Sequence, residues 1–382
     1  MSEVIDLLGE LVSIGSVNPM GRGLVGEDVL ETRMGNYLEE WFQREGISCE
    51  RQVVTPGRDN IIARLEGGAR TVLLEAHQDV VPVDNMIIDP WTPTIRDGRL
   101  YGRGSCDTKA GMAGMMIALR RLKRAGPADG PTVIMACVVD EEHHFTGISA
   151  ACAAGLRADM AIVAEPTELK IVVTHKGVVR WNIVTEGVST HSAKRDDGVS
   201  AIVRMAQVVS ALERYYEEEL RTRSAAMLGH ATLSIGGIRG GTSVNTVPNR
   251  CEIEIDRRLL PDEDALECIE EVKRWLAENG GLDFEAKFLP PAIIAGPLRR
   301  SADERVIDLL AASCDAVLGD HGIVGVPYGT DGPVIARSGI PVVVFGAGNI
   351  QQAHSTDEWV SIEEVEQATE VFYDFLCRAG RS

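Results

Sequence analysis

The chain has 382 residues, 45% of them hydrophobic, which is enough for a large core and favours two domains over one. Its 38 basic and 57 acidic residues leave a net charge of −19, which repels nucleic acids and anionic membranes, so we expect neither as a partner. The N-terminal segment is acidic where a signal peptide is basic, and the apolar runs are only strand-sized. The sequence therefore predicts a cytoplasmic location.

Residues 1–176 alternate helical patterns with short β-branched runs, which is typical of an α/β fold with a mostly parallel sheet covered by helices. Apolar residues from Val4 to Val12 lie on one face of a first predicted helix. The remaining elements predicted here are helices at about Leu30–Glu45 and Lys109–Arg124, strands at Asn60–Leu65, Thr71–Glu75, Thr132–Val139 and Met160–Val163, and a hairpin-like stretch at Trp91–Tyr101.

Between residues 177 and 290 the rhythm changes to β-α-β-β-α-β, the order of a ferredoxin-like α+β domain. The predicted elements are Val178–Val184, Val199–Leu220, Ala231–Ile235, Arg250–Asp256, Glu263–Glu278 and Asp283–Phe288. Because this block has its own helices and strands, we expect a separate domain inserted into the larger one.

The first pattern resumes over residues 291–382, so the larger domain is predicted to consist of 1–176 and 291–382. This part contains a predicted helix near Ala302–Leu318, a strand at Pro341–Phe345 and a last helix. Ser361, with Glu364 three residues later, forms the capping-box pattern that opens this last helix.

Most of the polar side chains that could carry chemistry follow apolar runs of the larger domain where the predicted strands end, and Asp107 opens a predicted helix. In an open α/β sheet these carboxyl ends share one edge, and ligands bind in the crevice outside it. Residues far apart in sequence are thereby predicted to meet. They are His77 and Asp79 after TVLLEA, Asp107 in GRGSCDTKAG, Glu141 and Glu142 after TVIMACVV, Glu165 after MAIVA, and His354 after IPVVVF.

The triplet Asp140-Glu141-Glu142 carries the strongest signal, because buried carboxylates need a counter-ion. The segment MACVVDEEHHFTG around it contains no Lys or Arg, which makes a metal ion the natural candidate. Eight scattered cysteines without a C-x-x-C pair indicate reduced thiols and argue against a structural zinc ribbon, so His and carboxylate must hold the metal.

Histidines with carboxylates suit zinc or cobalt in an open catalytic site. One Asp could bridge two ions about 3.5–4 Å apart, and a remaining carboxylate could take a proton from water and pass it to a leaving amine.

Each motif also has a plain structural interpretation. The pair His77/Asp79 could be a surface turn, Glu141-Glu142 a solvated strand end, and Asp107 a helix N-cap. Glu165 could be an exposed turn acid. His143 and His144 are interpreted as surface residues or as residues supporting the ligands. The glycines of Gly236–Gly241 suggest a hairpin turn. The functional interpretation depends on the motifs being read together.

Taken together, six segments resemble the di-zinc amidohydrolase and metallopeptidase family of acetylornithine deacetylase, succinyl-diaminopimelate desuccinylase, aminoacylase and carboxypeptidase G. They are LLEAHQDVVP, LYGRGSCDTKAGMAG, DEE, AEPT, GGTSVNTVPNRCEIEIDRR and AHSTDEWV, in the family's order. The resemblance implies a zinc-exopeptidase-like catalytic domain with two metal ions, zinc or cobalt. One ion would be held by His77, Asp107 and Glu165, and the other by Asp107, Glu142 and His354.

Further roles follow from the same resemblance. Asp79 would accept a hydrogen bond from the ligand His77 and fix its tautomer. Glu141 would be the general base, and the peptide bond Asp107-Thr108 would be cis.

The inserted domain resembles the family's lid and dimerisation domain, which implies a homodimer. His191 would stabilise the tetrahedral oxyanion in its own or the partner's site. Asn245 and Arg258 would bind the carboxylate and acyl oxygen of the substrate, and Gly329 and Thr330 would lie in a substrate loop. Residues 194–197 (KRDD) depart from the family, which commonly has a proline in this segment.

The expected activity is hydrolysis of the amide bond of an N-acyl amino acid, of the acetylornithine deacetylase or desuccinylase type. A dipeptidase or carboxypeptidase is the near alternative, because the same groups cleave either amide. A catalytically inactive binding homologue predicts damage to the ligand set, and none is found. Two-metal phosphoester hydrolysis would need basic residues for a phosphate, and the motifs are acidic.

Overall fold

The computed structural model describes residues 1–126 and 130–381, which form two compact units. The larger unit comprises Met1–Val173, Arg300–Val324 and the chain from Thr330 onward. The smaller unit comprises Thr174–Arg299 with Gly325–Gly329, so it is inserted into the larger one along the sequence.

An eight-stranded mixed sheet has the order β1-β2-β6-β3-β7-β17-β8-β16. The central neighbours β6, β3, β7 and β17 run parallel, as predicted, whereas β1, β2 and β8 pair antiparallel. These strands are β1 (Ser48–Thr55), β2 (Arg58–Leu65), β3 (Gly68–His77), β6 (Pro131–Val138), β7 (Met160–Val163), β8 (Ile171–His175), β16 (Ile323–Val326) and β17 (Val342–Val344).

The helices of the larger unit are α1 (Glu3–Val12), α2 (Thr32–Arg44), α3 (Lys109–Ala125), α4 (Thr146–Ala153), α7 (Arg305–Leu318), α8 (Gly332–Arg337) and α9 (Ile362–Arg381). A three-stranded sheet, β18-β5-β4, contains β4 (Thr94–Arg96), β5 (Arg99–Tyr101) and β18 (Trp359–Ser361). Strands β4 and β5 form the predicted hairpin around Asp97 and Gly98.

The core of the larger unit lies between the sheet and its helices. Every residue of β6 is buried, as expected for a strand covered on both faces. Helices α3 and α9 cross closely at Gly114, where a Cβ atom would lie 3.3 Å from the ring of Phe372 and 3.2 Å from Thr369 Oγ1. Gly114 therefore allows the close crossing.

The smaller unit has the predicted β-α-β-β-α-β order, with short additional strands. Its antiparallel sheet has the order β12-β13-β9-β14, and β15 also pairs with β9. The elements are β9 (Gly177–Glu186), α5 (Ala201–Glu218), β10 (Ser224–Ala225), β11 (Gly229–His230), β12 (Thr232–Gly240), β13 (Arg250–Leu259), α6 (Ala265–Asn279), β14 (Lys287–Phe288) and β15 (Ile293–Ala295).

Strand β13 shows why this sheet forms. Its residues alternate between buried positions such as Ile253 and Ile255 and half-buried positions such as Glu252 and Glu254. The buried face packs against α5 and α6 in a core that includes Trp181 and Tyr215.

Some elements differ from the prediction. Strand β12 continues through Gly240, so Gly236–Gly241 do not form a hairpin turn; the strand passes through them with a register shift between Ile235 and Gly237. The capping box at Ser361 is half formed. Ser361 Oγ accepts the Glu364 N–H at 3.4 Å, but the Glu364 carboxylate accepts the Gly348 N–H instead.

No helix in residues 1–126 or 130–381 is both long enough and apolar enough to cross a bilayer.

Candidate active site

Three side chains predicted as ligands of one metal meet at the carboxyl ends of β3 and β7. His77 Nε2 lies 3.1 Å from Asp107 Oδ1 and 3.9 Å from Glu165 Oε1. All three residues are buried, with 2% exposure for His77, 6% for Asp107 and 5% for Glu165. Neither a surface turn at His77 nor an exposed acid at Glu165 describes this arrangement.

A second group shares the other oxygen of Asp107. His354 Nε2 lies 3.3 Å from Asp107 Oδ2 and 3.1 Å from Glu142 Oε1. Asp107 therefore presents one carboxylate oxygen to each histidine, the geometry required of a carboxylate that bridges two cations. It does not cap helix α3, since Thr108 occupies the N-cap position.

The donor set fits divalent ions. Ligand atoms about 2.0–2.2 Å from a tetrahedral zinc ion lie roughly 3.2–3.6 Å from one another, close to the distances around Asp107. Two groups have all their donor atoms within 4.8 Å of one another, namely His77 with Glu141 and Glu165, and His77 with Asp107 and Glu142. A third such group, Asp315, Asp320 and His321, is exposed.

The electrostatics of the centre also favour bound cations. Burial raises the pKa of the Glu165 carboxyl well above its usual range, and the nearby Asp107 charge adds to the shift. Burial likewise raises the pKa of Glu141 and that of Glu142. Burial lowers the pKa of His354, but its bonds to Asp107 and Glu142 outweigh this and raise it above the usual range. Carboxylates thus outnumber the positive groups, and cations at this point would stabilise the ionised acids.

Asp79 has a different contact from the predicted one. The Nδ1 atom of His77 lies 2.9 Å from the backbone carbonyl oxygen of Asp79 and 3.8 Å from its carboxylate. Since a carbonyl only accepts, Nδ1 carries the proton and Nε2 keeps its lone pair for a metal. The Asp79 carboxylate instead accepts the backbone N–H groups of Glu141 and Glu142, each at 3.1 Å.

The sequence around Asp140 contains no basic residue, but the folded chain supplies one from a distant strand. Arg58, 82 positions earlier, donates from Nη1 to Asp140 Oδ1 at 2.6 Å. The triplet therefore has a protein counter-ion at its first member, while Glu141 and Glu142 face the histidines. Arg58 carries no local signal in the sequence, because only the pairing of β2 with β6 brings it close.

Glu358 supports the bridging aspartate and was also missed. Its carboxylate is fully buried and accepts the N–H groups of Cys106 at 2.9 Å and Asp107 at 3.0 Å. Its other oxygen forms a buried ion pair with Arg103 at 2.6 Å. The peptide bond Asp107-Thr108 is cis, which confirms the expectation for that bond.

The smaller unit brings two of its predicted residues together. His191 Nδ1 accepts the Ala193 N–H at 3.1 Å, so a neutral ring carries its proton on Nε2. Ser192 N–H donates to the Asn245 carbonyl at 2.9 Å, which places the two loops side by side. Both His191 and Asn245 are exposed.

Arg258 is engaged with an acid of its own strand. Its Nε donates to Asp256 Oδ1 at 2.8 Å, on the half-buried face of β13.

The remaining predicted positions are divided between the units. Gly329 belongs to the smaller unit, and Thr330 to the larger one. Thr330 is buried, and its hydroxyl accepts the Gly332 N–H at 3.0 Å at the start of α8. The rings of His143 and His144 are in contact, with centroids 3.6 Å apart and an interplanar angle of 46°, and His144 is exposed.

A family model matches this chain over residues 73–378, and its description is peptidase family M20/M25/M40. The chain belongs to this family.

Among curated relatives, acetylornithine deacetylase of Proteus mirabilis (strain HI4320) is 33% identical over 352 residues, covering 88% of this chain and 87% of the relative. Among solved structures, a tripeptidase from Staphylococcus aureus subsp. aureus Mu50 superposes with a TM-score of 0.82 at 21% identity, covering 100% of this chain and 98% of that one. A dinuclear metal-binding M20 peptidase from Bacillus subtilis has a TM-score of 0.73 at 18% identity, covering 99% and 98%.

Family membership makes this chain a metal-dependent enzyme that hydrolyses amide bonds. The α/β fold with an inserted second domain agrees with these neighbours.

Proposed function

We propose that the enzyme removes the acyl group from an N-acyl amino acid, in a reaction of the acetylornithine deacetylase or desuccinylase type. The observation that carries the proposal is the Asp107 carboxylate, whose two oxygens face two different histidines. His77, Asp107 and Glu165 would hold one divalent ion, and Asp107, Glu142 and His354 the other. We propose zinc as the metal, with cobalt as the alternative. Such ions polarise a carbonyl group and lower the pKa of water to roughly 7.

Glu141 is the residue proposed to move the proton. Its donor atom groups with those of His77 and Glu165, and its backbone N–H is held by Asp79. The Glu141 carboxylate would accept a proton as water attacks the amide carbon and return it to the amine nitrogen as the C–N bond breaks. The products are a carboxylic acid and a free amine.

The smaller unit is proposed to be the lid and dimerisation domain. Nε2 of His191 would donate to the oxyanion. Asn245 and Arg258 would bind the carboxylate and acyl oxygen of the substrate, with Gly329 and Thr330 in the substrate loop. Arg258 would have to exchange its pairing with Asp256 for the substrate.

A homodimer through the smaller unit is part of the proposal. The outer edge of β12 is free of a partner strand in the described residues. Two apolar side chains are exposed, Ile238 on this strand at 58% and Val244 in the loop that follows it at 102%. Sedimentation of the wild type against Ile238→Lys tests it: the substitution should yield monomers, and a wild-type monomer would contradict it.

A cytoplasmic location is also proposed. All eight cysteines are described and unpaired, as expected in a reducing compartment.

The second candidate is a dipeptidase or carboxypeptidase. The superposition on a tripeptidase supports it, since the same groups can cleave a peptide bond. The deacylase is favoured because the 33% identity to a deacetylase exceeds the 21% identity to that peptidase.

A substrate panel separates the two candidates. Enzyme loaded with zinc, and separately with cobalt, is assayed on N-acetyl-ornithine, N-succinyl-diaminopimelate, other N-acyl amino acids and dipeptides. The proposal expects kcat/KM to be highest on an N-acyl amino acid, and a preference for dipeptides would favour the peptidase. Chelation should abolish turnover, and added metal should restore it. No turnover on the whole panel by the metal-loaded enzyme would contradict both candidates.

A further inference from the structure

The turn that carries Glu141 and Glu142 has an unusual backbone. Asp140, its first residue, has φ 64°, in the left-handed region that favours glycine. Its carbonyl oxygen accepts the N–H groups of His144 at 3.2 Å and Phe145 at 2.7 Å. These two bonds close a turn that contains Glu141 and Glu142. A residue other than glycine keeps such a backbone conformation only where its surroundings hold it.

The Asp140 side chain is held by three donors from three parts of the chain. Thr146 Oγ1 donates to Oδ2 at 2.6 Å, and Asn18 Nδ2 donates to Oδ1 at 2.9 Å. Arg58 Nη1 donates to the same Oδ1 at 2.6 Å and is the only one of the three with a charge. These three donors together fix the orientation of the carboxylate.

The orientation of the Arg58 side chain is itself fixed by Glu31. Its Nε and Nη2 atoms lie 2.9 and 2.7 Å from the two carboxylate oxygens of Glu31, a bidentate pair. The Glu31 side chain is fully buried, and that of Arg58 is 12% exposed. This pairing leaves Nη1 directed at Asp140.

Asn18 links this turn to Asp79, whose carboxylate holds the backbone of Glu141 and Glu142. The same Nδ2 group donates to Asp79 Oδ2 at 2.8 Å and to Asp140. Asp79 then accepts the N–H groups of Glu141 and Glu142. One chain of bonds thus runs from Glu31 to the backbone of both glutamates.

We propose that Arg58 is a positioning residue: by fixing Asp140 against Glu31, it orients the Glu141 carboxylate and places Glu142 as a metal ligand. The inference rests on the proposed function. In the described part of the chain, the Arg58 side chain pairs with Glu31 and Asp140 and forms no hydrogen bond or ion pair with the proposed metal ligands, so its removal acts through the turn. Glu142 should be affected more than Glu165, which lies on a different strand end.

Arg58→Ala tests the proposal, with Arg64→Ala as the matched control. Arg64 lies on the same strand β2 and pairs with Glu66 on the surface at 2.6 Å. For Arg58→Ala with saturating metal we expect kcat to fall about 10- to 100-fold with KM changed less than about twofold. Chelator competition should show one of the two zinc sites weakened about tenfold or more and the other unchanged. Millimolar guanidinium should restore part of kcat, and the control should match the wild type.

The outcomes separate positioning from folding. Circular dichroism and the thermal midpoint report whether Arg58→Ala is folded; if it is not, Arg58→Lys is used, which keeps the charge but loses the bidentate grip, and an intermediate loss is expected. Unchanged kcat and unchanged zinc affinities in a folded variant would overturn the proposal. An equal weakening of both zinc sites, or a loss explained entirely by unfolded protein, would also overturn it. If the wild type cleaves no amide, the proposed function fails, while the zinc measurements still decide the role of Arg58.

Discussion

The two groups of predicted functional residues are held in opposite ways. In the larger unit, His77, Asp107 and Glu165 are buried where parallel strands end. The carbonyl of Asp79 orients the His77 ring, and the distant Glu358 carboxylate holds the backbone of Asp107. In the smaller unit, His191 and Asn245 are exposed on two adjoining loops, and their side chains bond to residues two positions away, Ala193 and Ser243. The first group is preorganised before any substrate arrives, whereas the second lies at the surface, where it can exchange its local bonds for bonds to a substrate. Chemistry that needs fixed charge is expected in the larger unit, and substrate recognition in the smaller one.

The largest effect is expected at Glu141. Glu141→Gln removes the proton acceptor but keeps the size of the side chain, so kcat should fall about 10³-fold or more, near the upper range for general-base catalysis. Elemental analysis should still find the wild-type metal content. Glu40→Gln, an exposed acid on α2 of the same unit, is the control. Retention of most of the rate would place the base elsewhere.

The next largest loss of activity is expected when His354 is replaced, because its ring lies close to both Asp107 and Glu142. His354→Ala should leave about one metal ion per chain, because one ion loses its only imidazole ligand, and turnover should fall by about 10²-fold or more. His230→Ala, which replaces an exposed histidine outside every group of candidate ligands, provides the control. Two ions per chain in the variant would show that His354 is not a ligand.

His191 tests the smaller unit directly. His191→Ala should lower kcat about 10²-fold, the effect of losing one oxyanion donor, with little change in KM or metal content. His230→Ala replaces another exposed histidine of the same unit and should be neutral. An unchanged kcat would remove His191 from the mechanism and leave all the chemistry in the larger unit.

The smallest effect is expected at Arg258. Arg258→Ala should raise KM about 10- to 100-fold on substrates with a free carboxylate and change kcat much less, because the lost contact forms on binding. Arg239→Ala, an exposed arginine paired with Glu254, is the comparison. An equal loss on a substrate whose carboxylate is esterified would show that Arg258 does not bind that group.

Much of the fold follows from local pattern. The alternation of apolar and polar residues along β13 predicts a strand buried on one face, and the apolar run of β6 predicts a strand buried on both faces. Strand β1 and helix α4 were not predicted. The first lies at the sheet edge with no buried residue, and the second is only eight residues long, so neither carries a strong periodic signal.

The sequence alone determined which residue types are available to the site and that strand ends would gather them, since parallel strands share one edge. Only the tertiary structure decided which atoms meet. In the folded chain, Arg58 is the counter-ion of Asp140. The Asp79 carboxylate accepts the backbone N–H groups of Glu141 and Glu142, and the Glu358 carboxylate accepts that of Asp107. These partners lie 62 to 251 positions apart, and hydrogen bonds act only over about 3 Å, so no local pattern contains them.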